Sequence, residues 1–221
     1  MNCKHWAALA ALSFVTAVQA APTIATYDLG PYNGDGTLEA TAVASGYSAG
    51  AITRFGALTG SFDNHFYFSG WGTTIDLSKY FSVTLSNTSA FTLDKMFFSA
   101  ESSDATPATM YVRSSLDGFV SNIDSFTWGD PQALVTDGDF DLASLGVIAS
   151  SVSLRFYVAS AAGGGPAMGF ANHQSPGSGG GLPDAGRDIT FTGAVAAVPE
   201  PSTLALVGLA LVGAGALRRK G

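Results

Sequence analysis

Between residues 21 and 198 apolar and polar side chains alternate in short runs, and the runs are separated by Gly, Ser, Asn and Asp. A period of two puts successive side chains on opposite faces of an extended chain, so this pattern predicts strands buried on one side. The clearest runs are 151–159, with Val152, Leu154, Phe156 and Val158 on one face, and 91–100, where Phe91, Leu93 and Phe97 share a face. Further strands are predicted over 24–28, 52–55, 61–69, 80–85, 109–115, 123–128 and 188–195. Roughly eight to ten short strands without a long amphipathic helix predict an all-β body, a jelly-roll-like antiparallel β-sandwich. A brief helical turn fits 141–145. Residues 161–186, rich in Gly, Ser, Pro and Ala, read as a long Gly-rich loop inserted at a sandwich edge.

Two segments break the alternation. Lys4 precedes an apolar run over 6–18, and Val18-Gln19-Ala20 sets small residues before Ala21, which predicts a signal peptide over 1–20 cleaved between Ala20 and Ala21. Near the other end, Pro199-Glu200-Pro201 is followed by fourteen uncharged residues, 204–217, and then by Arg218, Arg219 and Lys220. At about 1.5 Å per residue such a helix covers roughly 21 Å, short of the roughly 30 Å hydrocarbon core. It has no polar face, however, and its cationic stop fits an end retained in the cytoplasm. The two prolines keep the preceding segment extended and its backbone accessible.

Taken in order, Pro199-Glu200-Pro201, the apolar segment and Arg218-Arg219-Lys220 resemble the PEP-CTERM sorting signal of Gram-negative bacteria. The resemblance covers roughly the last 24 residues. It implies an exported chain held transiently in the membrane by a C-terminal hydrophobic helix within 198–221 and recognised by an exosortase-type membrane enzyme. The processed protein would then lie at the cell surface or outside the cell. The implied partners are the export machinery and signal peptidase, the exosortase, the membrane and extracellular polysaccharide. In the body, Val112-Arg113-Ser114-Ser115-Leu116-Asp117-Gly118-Phe119, then Leu154-Arg155-Phe156-Tyr157, then Asp188-Ile189-Thr190-Phe191-Thr192-Gly193 resemble a β-sandwich type found among PEP-CTERM proteins. That likeness implies a fold and no activity. From the residues alone, Leu116-Asp117-Gly118 is a turn, and Arg113 and Arg155 pair with nearby carboxylates.

Charge narrows the partners. Residues 21–198 hold six Lys or Arg and sixteen Asp or Glu, so the body carries 6 − 16 = −10. Such a field repels phosphate backbones and argues against a nucleic-acid partner. The only cysteine, Cys3, lies in the segment expected to be removed, which leaves no disulfide or thiolate site.

Four sets of residues are candidates for chemistry. Asp137, Asp139 and Asp141 have the D-x-D-x-D spacing that opens many calcium loops, but Leu142 and Ile148 stand where an EF-hand needs Gly and Glu, so an acidic surface turn is the plainer reading. Asp63 and His65 would share one face of a strand, the orienting half of a catalytic triad, although a solvated strand face is much the plainer reading. His173 falls in the Gly-rich stretch, a poor platform for catalysis. Trp71 and Trp128 have glycine neighbours and are candidate platforms for sugar rings, set against the commoner use of tryptophan as a core plug. No nucleotide fingerprint occurs, and no cofactor is expected beyond calcium. The sequence therefore predicts a non-enzymatic, biofilm-associated surface protein. The alternatives are a carbohydrate-binding module, with or without calcium, and a hydrolase using Asp63 and His65.

Overall fold

The computed structural model describes residues 20–29, 36–58, 65–102, 107–128, 135–161, 168–171 and 187–196. Fourteen strands lie among them. In chain order these are β1 (Thr23–Tyr27), β2 (Thr37–Leu38), β3 (Ala42–Val43), β4 (Tyr47–Ala49), β5 (Ile52–Phe55), β6 (His65–Phe68) and β7 (Tyr80–Asn87). Then follow β8 (Phe91–Ser102), β9 (Ala108–Ser114), β10 (Asp124–Trp128), β11 (Val135–Asp141), β12 (Ser151–Ser160), β13 (Met168–Ala171) and β14 (Ile189–Val195). Short 3-10 turns occupy Ser115–Asp117 and Ala143–Leu145.

The strands form two antiparallel sheets of seven. One runs β3-β1-β14-β8-β13-β6, with β11 also on β8; the other runs β10-β9-β12-β7-β5-β2, with β4 also on β7. Shared register positions fix how the long strands are used. Ala100 and Glu101 of β8 pair with both β11 and β13, so β11 takes one edge and β14 followed by β13 takes the other. Strand β7 carries β12 on one edge and β5 followed by β4 on the other, leaving Val83 and Thr84 between the last two.

Alternation puts Phe66, Phe98, Phe170 and Phe191 of the first sheet against Phe81, Val112, Leu154 and Phe156 of the second, all buried. The rings meet at angles: Phe81, Phe98 and Phe156 each lie 5.5–5.7 Å from Phe170. This offset geometry is favourable beyond simple area burial. A phenol joins the layers as well, for the buried Tyr27 hydroxyl of β1 donates to the Gly50 carbonyl beside β4 at 2.6 Å.

The two-layer antiparallel sandwich is as the alternation predicts, and three local expectations are corrected. Residues 161–186 are not all loop, because Met168-Gly169-Phe170-Ala171 is a fully buried strand between β8 and β6. Its flanking glycines hid it, and with all four residues buried it has no alternation to show. Phe91, Leu93 and Phe97 do not share a face throughout β8. Asp94 and Lys95 together oppose the single Thr192 of β14, a bulge that flips the buried set from Phe91 and Leu93 to Met96, Phe98 and Ala100. The Thr192 hydroxyl secures it, accepting from the Lys95 N–H at 3.1 Å. Residues 137–141 form strand rather than an acidic turn.

Among the described residues no helix is long and apolar enough to cross a membrane. The expected C-terminal helix, Pro199, Glu200, Pro201, Arg218, Arg219 and Lys220 lie outside them, as does the signal segment up to Gln19. Ala20 is exposed and Ala21 half-buried, and β1 starts at Thr23, so a cut between the alanines leaves every strand whole.

Candidate functional site

The sequence candidates separate in space. Trp71 is 2% exposed, stands edge-on to Phe81 at 5.2 Å, and donates from Nε1 to the Met168 carbonyl at 3.2 Å. Trp128 is 4% exposed and lies parallel to Phe126. Neither indole offers a face to a sugar, which corrects the reading of this pair as platforms; both plug the core. Asp63 lies outside the described residues. His65 opens β6, and its side chain is also outside them. His173 lies outside them too.

Asp137, Asp139 and Asp141 lie on one face of β11, with successive residues about 7 Å apart along an extended strand. A calcium loop instead curls its ligands around one point. Asp137 accepts from Ser99 Oγ at 2.6 Å and pairs with Arg187 Nε at 3.1 Å, while Asp139 pairs with Lys95 Nζ at 2.6 Å. That bond and its charge raise the Lys95 pKa above its ordinary value. Asp141 caps the following turn by accepting from the Ala143 N–H at 2.9 Å. Among the described residues no three His, Cys, Asp or Glu are grouped to hold a metal ion. The calcium reading is therefore replaced by cross-strand ion pairing.

The feature that gathers chemistry is the outer face of the β10-β9-β12-β7-β5-β2 sheet. Register puts Phe55 beside Tyr80 and Tyr157 beside Tyr111, and Tyr80 joins the two pairs, so four aromatics cross four strands in one row, of which Tyr157 is buried and Phe55 is the exposed end. Phe55 and Tyr80 are stacked at 4.9 Å, and Phe55 is 43% exposed. The next row is Thr53, Ser82, Arg155 and Arg113, each opposite its neighbour. Beside it an open cleft of about 200 Å³ occupies the gap between β4 and β5, lined by Gly50, Thr53, Phe55, Ser82 and Thr84 among others.

Both arginines depart from the expected pairing with carboxylates. Arg155 lies over two rings, 3.8 Å from the Phe119 centroid and 4.3 Å from that of Tyr80. Arg113 lies over Tyr157 at 5.4 Å, and donates to Asn122 Oδ1 at 2.7 Å and to the Phe119 carbonyl at 3.1 Å. Among the described residues neither forms an ion pair. Aromatic faces attract guanidinium through the ring quadrupole, which explains how two cations tolerate each other without an anion.

Phe119 reaches Arg155 from a turn that the sequence did encode. Ser114 Oγ caps the 3-10 turn, Gly118 takes a left-handed φ of 73°, and Asp117 accepts from the N–H groups of Val120 and Ser121 at 3.2 and 2.9 Å. Those bonds, the one from Ser121 first, hold the Asp117 carboxyl below its usual pKa. Phe119 itself has φ of 64°, a conformation rare for a bulky residue. The aromatic row itself went unseen in the sequence, although one signal was present: Arg155 falls on the parity that the buried Val152, Leu154 and Phe156 leave outward, while Tyr157, on the same parity, is buried.

No curated protein matches the chain. Among solved structures, a mutant of CBM29-2, a family 29 carbohydrate-binding module complexed with mannohexaose, aligns with 65% of this chain and 94% of that one at 14% identity. The TM-score of 0.23 is too low for that likeness to bear on fold or ligand. Residues 197–220 match the model of the PEP-CTERM protein-sorting motif. The chain thus carries a PEP-CTERM sorting signal, as an exported exosortase substrate does, after an antiparallel β-sandwich body.

Proposed function

We propose that the protein is a non-enzymatic component of the cell surface or extracellular matrix, acting through the faces of its sandwich in a biofilm-type polymer. The observation that carries this reading is the sorting motif over 197–220. Its chemistry suits handling at a membrane: a proline-held recognition segment, an apolar stretch, and a cationic stop. The described carboxylates support a structural role for the body. Asp137 and Asp139 hold Arg187 and Lys95; Asp76 and Asp117 cap turns, and the hydrogen bonds they accept there lower the pKa of these two carboxyls. After sorting, the body is left at the surface or released.

The test is the triple variant Pro199→Ala, Glu200→Ala, Pro201→Ala in the native host. An unprocessed, membrane-retained form of higher mass is expected by gel mobility and cell fractionation. Unchanged size and location would overturn the sorting reading.

A further inference from the structure

We infer that the outer face of the β10-β9-β12-β7-β5-β2 sheet binds a carboxylate-bearing polysaccharide, with Arg155 as its anionic anchor and the Phe55-Tyr80 stack as its sugar platform. Three observations converge on this face.

The first is the guanidinium of Arg155. Its central carbon lies over both the Tyr80 and Phe119 rings, at 4.3 and 3.8 Å, which restricts how far the group can swing. No described residue accepts a hydrogen bond from its edge. A planar fork held between rings, with no described acceptor for its donors, matches the two oxygens of a carboxylate.

The second is where the structure accepts local cost. Arg155 and Arg113 are directly opposite across β12 and β9, and like charges in that position are destabilising. Beside them Phe119, the one described non-glycine residue with positive φ, is held left-handed by its N–H bond to the Ser114 carbonyl at 2.8 Å. Costs of this kind gather at ligand clamps. In a body of net charge −10, two cations with no carboxylate partner among the described residues form a local site for an anion. The wider field repels a densely charged polymer, but beyond about 8 Å it is screened, so a chain with spaced carboxylates meets the arginines at contact range.

The third is the shape of the surface. The exposed Phe55 ring and the half-buried Tyr80 ring, 4.9 Å apart, form a short apolar patch for a single pyranose on the same face as Arg155. The exposed Phe55 ring presents an apolar face, and Thr53, Ser82 and Thr84 line the adjoining cleft, the last two with hydroxyls bonded to the Leu154 carbonyl and to Ser153 Oγ. Apolar rings beside hydroxyls suit a pyranose, whose faces are apolar and whose rim is polar. An acidic peptide would more readily add to a sheet edge through its backbone, whereas this row crosses the middle of a face.

The inference stands apart from the sorting reading, because binding is measured in vitro. The full-length chain, purified in detergent, is titrated with hyaluronan, which carries a carboxylate on every second sugar, with dextran as the neutral comparator and polyglutamate as the acidic peptide. Hyaluronan is expected to bind at least tenfold more tightly than either. Arg155→Gln should lose at least that factor, and Arg155→Lys, which keeps charge but not the fork, should recover only part of it. Near-ultraviolet circular dichroism reports the fold of each variant. Should Arg155→Gln fail to fold, Phe55→Ala at the exposed end of the row is expected to weaken binding by several-fold. Equal binding of dextran, equal or tighter binding of polyglutamate, or undiminished affinity in the folded variants would overturn the proposal.

Discussion

At the scale of single residues, the sandwich depends on where side chains are missing as well as on where they pack. Gly193 follows the bulge position of β14, and a Cβ there would lie 2.1 Å from the Thr92 carbonyl oxygen and 2.7 Å from Ile24 Cδ1. The obstacle is backbone in a central strand, which cannot swing away, so Gly193→Ala is expected to cost about 3 kcal/mol or more. Urea denaturation would show a lower midpoint at constant slope; a loss under about 1 kcal/mol would mean that β8 and β14 separate more easily than their register suggests. The two core tryptophans give a paired expectation. Trp71 Nε1 has the Met168 carbonyl as its acceptor, while Trp128 Nε1 is buried with no partner among the described residues. Trp71→Phe therefore breaks a buried bond that holds β13 and should cost about 1–3 kcal/mol plus the volume lost, whereas Trp128→Phe removes an unsatisfied donor and should cost less. Melting temperatures of the two variants decide the order.

At the scale of elements, the sequence showed what alternates and missed what does not. Strands β7, β9, β12 and β14 emerge within a residue or two of the predicted runs because each buries one face. Strands β2, β3 and β4, two or three residues each, are too short to display a period. Strand β11 was hidden by its three aspartates, whose polar parity resembles a turn until Gly138 and Phe140 are seen to be the buried set. The outward aromatic row was hidden for a different reason: which strands adjoin is a property of topology, and no local pattern brings Phe55 next to Tyr80 or Arg113 next to Arg155. Where an element had its own chemistry, as in the Ser114 to Gly118 turn, it was legible. That turn gives a pH expectation. Its folded-state carboxyl titrates below the ordinary value of 3.8, so the contribution of Asp117 is present at neutral pH and is lost as pH falls through the depressed value. The Ser121 amide resonance should follow that titration, and Asp117→Asn should abolish the response. A midpoint above 3.8 would contradict the hydrogen bonds drawn for this turn.

Titration of the inter-layer phenol runs the opposite way. Burial, with the Glu39 charge adding to it, raises the Tyr27 pKa well above its ordinary 10.0. A raised folded-state value means that the bond to Gly50 contributes fully below pH 10 and that its contribution is lost as pH rises further. Thermal stability should therefore decline from about pH 10 upward, and Tyr27→Phe should flatten that decline while costing about 1 kcal/mol at neutral pH. An unchanged alkaline limb in the variant would show that the layers are not joined through this phenol.

At the scale of the whole molecule, one residue from the stretch that looks least structured connects both layers. Phe170 belongs to β13, amid Gly, Pro and Ser, yet its ring lies 5.5 Å from Phe98 in its own sheet, and 5.6 and 5.7 Å from Phe81 and Phe156 in the other. Composition ranked this region as linker because glycine and proline weaken any local preference for strand. Tertiary burial overrules that ranking, since β13 closes the gap between β8 and β6. Phe170→Ala is accordingly expected to cost about 3–5 kcal/mol, a large share of the roughly 5–15 kcal/mol that holds a domain of this size together. Substitution of exposed Leu116 by alanine in the 3-10 turn should change stability by no more than about 0.5 kcal/mol. Comparing the two by denaturant unfolding tests whether the sandwich is a single cooperative unit. If Phe170→Ala yields a second, earlier transition while the remainder melts as before, then β13 and β6 form a separable flap on a smaller core. A single transition shifted as a whole would show that the glycine-rich stretch delivers an essential strand to the centre of the protein.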